Sequence, residues 1–545
     1  MTDVGFWFIG IAVAYTLLLI SISQIAKKRA ADGHGFFIGG RNFNKWFVSV
    51  CITGLFSGSA YIAILELSYL KGVSAVWYGV AETVQVLIIA LVFIAPFRKK
   101  ALVTISGLIG DHYGEKVRAL AGAITAFTFP MWSVATALAF ASAMTVFTGI
   151  PLIVSVAITA FLLYLYLQLG GMWSIGFTQL SNVIVFAVML LIGFYAFLVN
   201  PGMDGLKELM AQKPEMFAWD HTGAQTIIVW FGTFIINVVL AQAAFQMALS
   251  CKDEKEGQKG LLLAALFGLP LIIGAVLFGL AAAYAVPGER LALQAIPLYL
   301  METLPAPLVG LFFLGFWAAA LSWGAPCQFS GATSLGRDFG KAVRPKAKET
   351  DLIRYTKISL LLLTVLMVVF ALLRSEQSAW WNVLAWTTRN SATFAPVIAA
   401  LLWPAATKRA AFFSLFAGSF AGLLWYHLSG WSVNEFFLNT HPVWVGMSAN
   451  IATICLVTIL ERRGEIKFIM KGKFKSIGIL GLTVAAALIA FAATSFDLLY
   501  RTGVIGLVLF FVIIGIFISL ISFVRLKEHD AQKSLLAEGR TVHDY

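Results

Sequence analysis

The sequence predicts an all-α membrane protein with about fifteen transmembrane helices. Two positive observations and one exclusion carry that expectation. Of the 545 residues, 60% are hydrophobic and only 12% are charged, whereas a soluble domain is roughly 25% charged. Apolar runs of about 18 residues or more recur along almost the whole chain, long enough to cross the hydrocarbon core as helices. The short alternating segments of a transmembrane β-barrel are not seen. The net charge of +12 reads as loop bias toward an anionic membrane surface. Nucleic-acid binding is excluded because no Lys/Arg-rich domain stands apart from the spans.

The first span is 6–25. Asp3 precedes it and Lys27, Lys28 and Arg29 follow. A signal peptide has the opposite charge order and a small-residue cleavage site, so this helix is expected to be retained with its N-terminus outside. Further spans are expected at 46–68, 75–96, 118–145, 149–168, 176–199, 224–248, 261–286, 306–334, 355–374, 380–403, 411–430, 442–461, 476–497 and 502–524. Most Lys and Arg fall in loops 27–45, 98–118, 252–259, 337–357, 462–475 and 525–540. The positive-inside rule places these loops in the cytoplasm, together with the C-terminus. The expected organisation is an N-terminal helix and loop (1–45), a transporter core (46–403), further membrane helices (404–524) and a cytoplasmic tail (525–545). That tail is too short for an output domain.

The richest stretch is 316–341, expected to begin as an apolar helix and end in a basic loop. Small and hydroxyl residues crowd it, among them Ala318, Ala319, Ala320, Ser322, Gly324, Ser330 and Thr333. In lipid such residues permit close backbone approach and offer oxygen ligands. Ala319, Ser322 and Trp323 share one helix face by their spacing. The four cysteines are scattered without a CxxC pair, and the seven histidines show no ligand spacing. They read as buried side chains rather than a metal site. No HExxH, GxSxG or P-loop occurs in context, so the chain reads as neither an enzyme nor an ATP-driven pump.

Four motifs in order resemble the sodium/solute symporter family. Phe37-Ile38-Gly39-Gly40-Arg41-Asn42 resembles its Gly-Gly-Arg segment. Gly170-Gly171-Met172-Trp173 with Thr178, Gln179 and Asn182 resembles its fifth core helix. Gln242, Gln246 and the basic stretch 252–260 resemble the close of its sixth. Ser322, Ser330, Thr333, Asp338 and Lys341 resemble its helix-eight signature. The resemblance implies a leucine-transporter-like fold of two inverted five-helix repeats, here 46–199 and 224–403, whose broken helices form a midplane site. It implies a break at Gly54 and Gly58, and sodium held by the carbonyls of Thr53, Phe56 and Ala319 with Ser322 Oγ. The candidate solute-binding residues are Ser57, Gln242, Glu82, Arg389 and Trp323.

The chain departs from that pattern at three positions. Leu55 stands where many members carry Asp or Asn, Gln179 where they carry Asp, and Trp323 where they carry a second hydroxyl. An indole N–H can only donate, so weak sodium dependence is expected, with no second sodium site. Charge inside the membrane is costly and so points to function. Glu66 lies within a turn of a span end, where it can snorkel. Glu82 and Arg389 lie about 10–14 Å deep. They form either an ion pair or a site in which Arg389 clamps a substrate carboxylate.

The function expected is secondary transport in a bacterial inner membrane. A small organic solute, anionic or zwitterionic, is imported by alternating access with a cation, sodium by resemblance. No cofactor is expected beyond that ion. Proton-coupled or uncoupled transport, and a transporter-derived membrane sensor, are the alternatives.

Overall fold

The computed structural model describes residues 2–27, 33–99, 103–289, 291–433, 435–470 and 474–527. The tail expected at 525–545 lies almost wholly outside the described residues. Each of the expected spans coincides with helix. Eleven stretches are long and apolar enough to cross a membrane, or up to twelve if a bent pair counts as one span. The count of about fifteen is therefore not reproduced. Leu152–Gln168 is short for a span. Ser378–Leu402 is diluted by the polar run Thr387, Thr388, Arg389, Asn390 and Ser391. Lys45–Arg98 is read as a single apolar stretch although a 3-10 turn at Gly72–Ala75 divides it.

The chain clusters into two compact units, residues 1–107 with 125–385, and residues 108–124 with 386–545. In the first, the helix Lys45–Lys71 packs along Glu254–Ala285, and Asp3–Lys27 packs on the helical stretch Leu152–Val199. That stretch is two helices. Gly171 separates them at φ 53, and a Cβ there would come within 2.5 Å of the Phe36 carbonyl. Only glycine meets both conditions easily. In the second unit Lys408–Leu428 packs on Pro442–Glu461, and Lys475–Thr494 on Ile505–Phe523. A short antiparallel pair, Ile466–Phe468 with Val524–Leu526, joins the ends of that last hairpin.

Two expectations about breaks need correction. The helix Lys45–Lys71 runs through Gly54 and Gly58 without interruption. The broken helix is instead Ala224–Asn237 followed by Gln242–Ala248, bent by 47°. The expected basic loop after Thr333 is also helical. The stretch Ala306–Val343 continues through Arg337 and Lys341 to Val343, with wide π-turns at Ala320–Gly324 and Ser334–Phe339. Asp338 explains the extension. It is fully buried and accepts hydrogen bonds from Thr104 Oγ1 and Ser106 Oγ, each at 2.6 Å. A carboxylate so bonded holds Arg337 and its neighbours on the helix rather than in water.

Candidate cation and solute site

Ser322, in the π-turn Ala320–Gly324, faces Gly58 of Lys45–Lys71. A π-turn lodges an extra residue and disturbs the regular carbonyl ladder, and such turns recur at functional sites. A Cβ at Gly58 would lie 3.3 Å from the Ala319 carbonyl oxygen and 3.3 Å from Ser322 Cβ. A Cβ at Gly54 would lie 2.1 Å from Gln179 Oε1. Gly58 thus brings its helix against Ala319 and Ser322, and Gly54 brings it against Gln179 of the stretch Leu152–Val199.

Three acceptor oxygens lie in the surroundings of these two glycines. Ser322 Oγ is buried and has no hydrogen-bond partner among the described residues. Gln179 Oε1 is likewise buried without a partner, while its Nε2 donates to the Ser322 carbonyl at 2.8 Å. The Ala319 carbonyl is the third. Orphaned buried acceptors cost about 1–3 kcal/mol each, so Ser322 Oγ and Gln179 Oε1 mark a place suited to a small cation. Sequence reasoning treated Gln179 only as a lost carboxylate. Its amide oxygen is a ligand type that the sequence could have offered, but only the fold turns it toward Gly54.

The expected four-ligand set divides. Ala319 and Ser322 stand together. Thr53 and Phe56 line a different place, a cavity of about 20 Å³ that also holds Tyr61 and Glu82. That volume suits one water molecule. The carbonyls of Thr53 and Phe56 lie inside an uninterrupted helix and serve its own ladder. The Thr53 and Tyr61 hydroxyls are buried without partners among the described residues. Among the described residues, no Lys, Arg or His lines the cavity around Glu82.

The other expected solute contacts scatter. Gln242 is engaged on protein groups throughout. Its Oε1 accepts from Ile105 N at 3.0 Å, and its Nε2 donates to the Ser330 carbonyl at 3.0 Å and to Ser334 Oγ at 2.9 Å. Gln246 Oε1 accepts from Ser330 Oγ in the same lattice. Trp323 is buried, and its Nε1 donates to the Trp132 carbonyl at 3.0 Å. Arg389 is buried in the second unit, on Ser378–Leu402. Ser57 lies on Lys45–Lys71, but its side chain lies outside the described residues. Glu66 does not snorkel. It is buried and receives Ser378 N at 3.1 Å, Ser378 Oγ at 2.5 Å and Ala379 N at 3.1 Å, anchoring the start of Ser378–Leu402.

Residues 36–418 match the sodium:solute symporter family. The chain belongs to that family. The human high affinity choline transporter 1 is 23% identical over 399 residues, covering 68% of this chain and 69% of the relative. The Escherichia coli sodium/pantothenate symporter is 22% identical over 467 residues, covering 79% of this chain and 92% of the relative. The structure of a Na+-coupled sialic acid symporter, in a substrate-bound outward-open state, superposes with a TM-score of 0.69 at 16% identity. It covers 84% of this chain and 98% of that one. At that identity the likeness establishes the shared leucine-transporter-like fold. A sodium:solute symporter family member is a secondary transporter of the membrane, not an enzyme.

Proposed function

We propose that this family member imports a small organic solute together with one monovalent cation, sodium. The cation is held where Ala319 C=O, Ser322 Oγ and Gln179 Oε1 converge on Gly54 and Gly58. The observation that carries the reading is the buried, partnerless Ser322 hydroxyl beside the Ala319 carbonyl. Three oxygens form part of a sodium shell. The carbonyls of Thr53 and Phe56 join it in a state of the cycle in which the helix opens at Gly54 and Gly58, as glycine allows.

The solute is proposed to be anionic or zwitterionic, with Arg389 as the carboxylate contact, because a guanidinium presents a planar fork to two oxygens. Proton coupling is a second reading, favoured by Glu82 in a cavity without a basic neighbour.

Thermal unfolding of the purified chain in sodium, potassium or N-methylglucamine chloride at equal ionic strength tests the ion. A ligand at a hundredfold its Kd stabilises by about 2.7 kcal/mol. Sodium should raise Tm over potassium, and Ser322→Ala should remove that difference. Equal Tm in all three salts, with pH-dependent uptake lost in Glu82→Gln, would favour the proton instead. The same measurement with pantothenate, sialic acid and choline tests the solute class. A carboxylate should raise Tm and choline should not, and Arg389→Lys should weaken carboxylate binding about 30-fold or more. A shift by choline alone would reject the carboxylate reading.

A further inference from the structure

Three spans end at one corner of the first unit. Lys45 begins one, Arg98 ends the next, and Glu254 begins a third. Between those ends lies a cavity of about 490 Å³ lined by Arg41, Arg98, Asp253, Glu254 and Lys255. We propose that this corner binds the phosphodiester headgroup of an anionic phospholipid, with Arg41 and Arg98 as its principal contacts.

The backbone is built to deliver Arg41. Gly39, Gly40 and Arg41 follow one another at φ 59, 65 and 56. An arginine in that region is strained by roughly 1 kcal/mol or more, and such strain persists only where surrounding structure enforces it. The enforcing contacts come two residues later. Phe43 N donates to the Ser250 carbonyl at 2.9 Å, and Lys252 N donates to the Phe43 carbonyl at 2.8 Å. Arg98 secures the same strap from the other side, through Nε to the Cys251 carbonyl at 3.3 Å and Nη2 to the Lys252 carbonyl at 3.4 Å.

The lining sets three basic side chains, Arg41, Arg98 and Lys255, against two carboxylates, Asp253 and Glu254. Arg41 Nε is buried and has no partner among the described residues. Burial, and after it the nearby charge of Arg98, hold the Arg41 guanidinium below its usual value. Asp253 Oδ1 accepts from Glu256 N at 2.9 Å, and Glu256 Oε2 accepts from Lys45 N at 2.6 Å, so these two carboxylates also cap helix starts. The N-terminus of Glu254–Ala285 adds the positive end of a long helix dipole.

The neighbouring surfaces select a lipid over a soluble anion. Span ends lie at headgroup depth. Trp46, 56% exposed, sits at the start of its span in the manner of an interfacial aromatic. Leu91 and Val92, 64% and 56% exposed, offer an apolar face on the helix running to Arg98. A phosphodiester can engage two guanidiniums while its acyl chains follow such a face.

The test is native mass spectrometry of the full chain in detergent, titrated separately with phosphatidylglycerol and phosphatidylcholine, each with and without inorganic phosphate. Phosphatidylglycerol should bind at least about fivefold more tightly, since one basic residue near the surface contributes about 1 kcal/mol. Arg41→Gln should weaken phosphatidylglycerol about five- to thirtyfold and leave phosphatidylcholine unchanged. Lys255→Gln, an exposed change that cannot disturb folding, should weaken it about fivefold. Lys207→Gln, far along the chain in another loop, should have no effect. Equal binding of the two lipids, or full phosphatidylglycerol affinity in both Arg41→Gln and Lys255→Gln, would overturn the proposal. Competition by millimolar inorganic phosphate would overturn the lipid assignment in favour of a soluble anion.

Discussion

His441 shows how far one side chain's surroundings can fix its chemistry. It is buried at the start of Pro442–Glu461, where its Nδ1 accepts from Val443 N at 3.2 Å. Aromatic rings of Tyr426 and Phe436 flank it. An acceptor nitrogen must be unprotonated, and burial lowers the imidazole pKa to about 3. The consequence for stability follows from the direction of the shift. Above the ordinary value near 6.5, folded and unfolded chains both carry neutral His441. As pH falls below it the unfolded chain takes up a proton that the folded chain refuses, so stability is lost. By pH 5 the loss is about 2 kcal/mol. Tm should therefore fall from pH 7.5 to 5 more steeply in the wild type than in His441→Asn. The asparagine keeps a capping acceptor but cannot titrate. Parallel pH profiles would show that His441 is not the group responsible.

At the scale of one element, Ser378–Leu402 contains Pro396. Proline lacks the N–H that would bond the Ala392 carbonyl. Asn450, from Pro442–Glu461, supplies the repair. Its Nδ2 donates to the Ala392 carbonyl at 2.8 Å and the Ser414 carbonyl at 2.9 Å, and its Oδ1 accepts from Ala395 N at 2.8 Å. One amide thus satisfies both edges of the interruption in a region that offers no water. Asn450→Ala should destabilise by about 3 kcal/mol or more, because several buried groups lose partners together. Asn450→Asp should fail similarly, since a carboxylate cannot donate to Ala392. Leu456→Ala, on an exposed face of the same helix, is the comparison. If Asn450→Ala unfolds no earlier than Leu456→Ala, the repair has no energetic weight.

For the whole molecule, the distribution of Lys and Arg among loops is the argument for orientation. It predicts the N-terminus outside, the 200–223 loop outside and the 464–470 segment in the cytoplasm. The native cysteines, Cys51, Cys251, Cys327 and Cys455, are all buried, which keeps the background of thiol labelling low. Cysteines introduced at Lys213 and Glu465 should differ. The first should react with an impermeant maleimide on intact cells, and the second only after the membrane is opened. The reverse pattern would invert the topology.

Hydropathy sums over neighbours in sequence, so the sequence alone determined the membrane class and the approximate position of each long apolar helix. Ordered motifs such as Gly39-Gly40-Arg41 and Gly170-Gly171 likewise carried the family, because a tight turn demands glycine wherever it occurs. Hydrogen-bond partners follow another rule. Gln179 meets Ser322 across 143 positions, and no local pattern specifies that pairing. Tertiary packing alone decided that Gln179 joins the candidate cation site and that Gln242 is engaged in a structural lattice. It also decided that Gln179, Ala319 and Ser322 occupy the space that Gly54 and Gly58 leave. In a bilayer the backbone satisfies itself within each helix, whereas the surroundings of a buried side chain depend on which helices lie side by side.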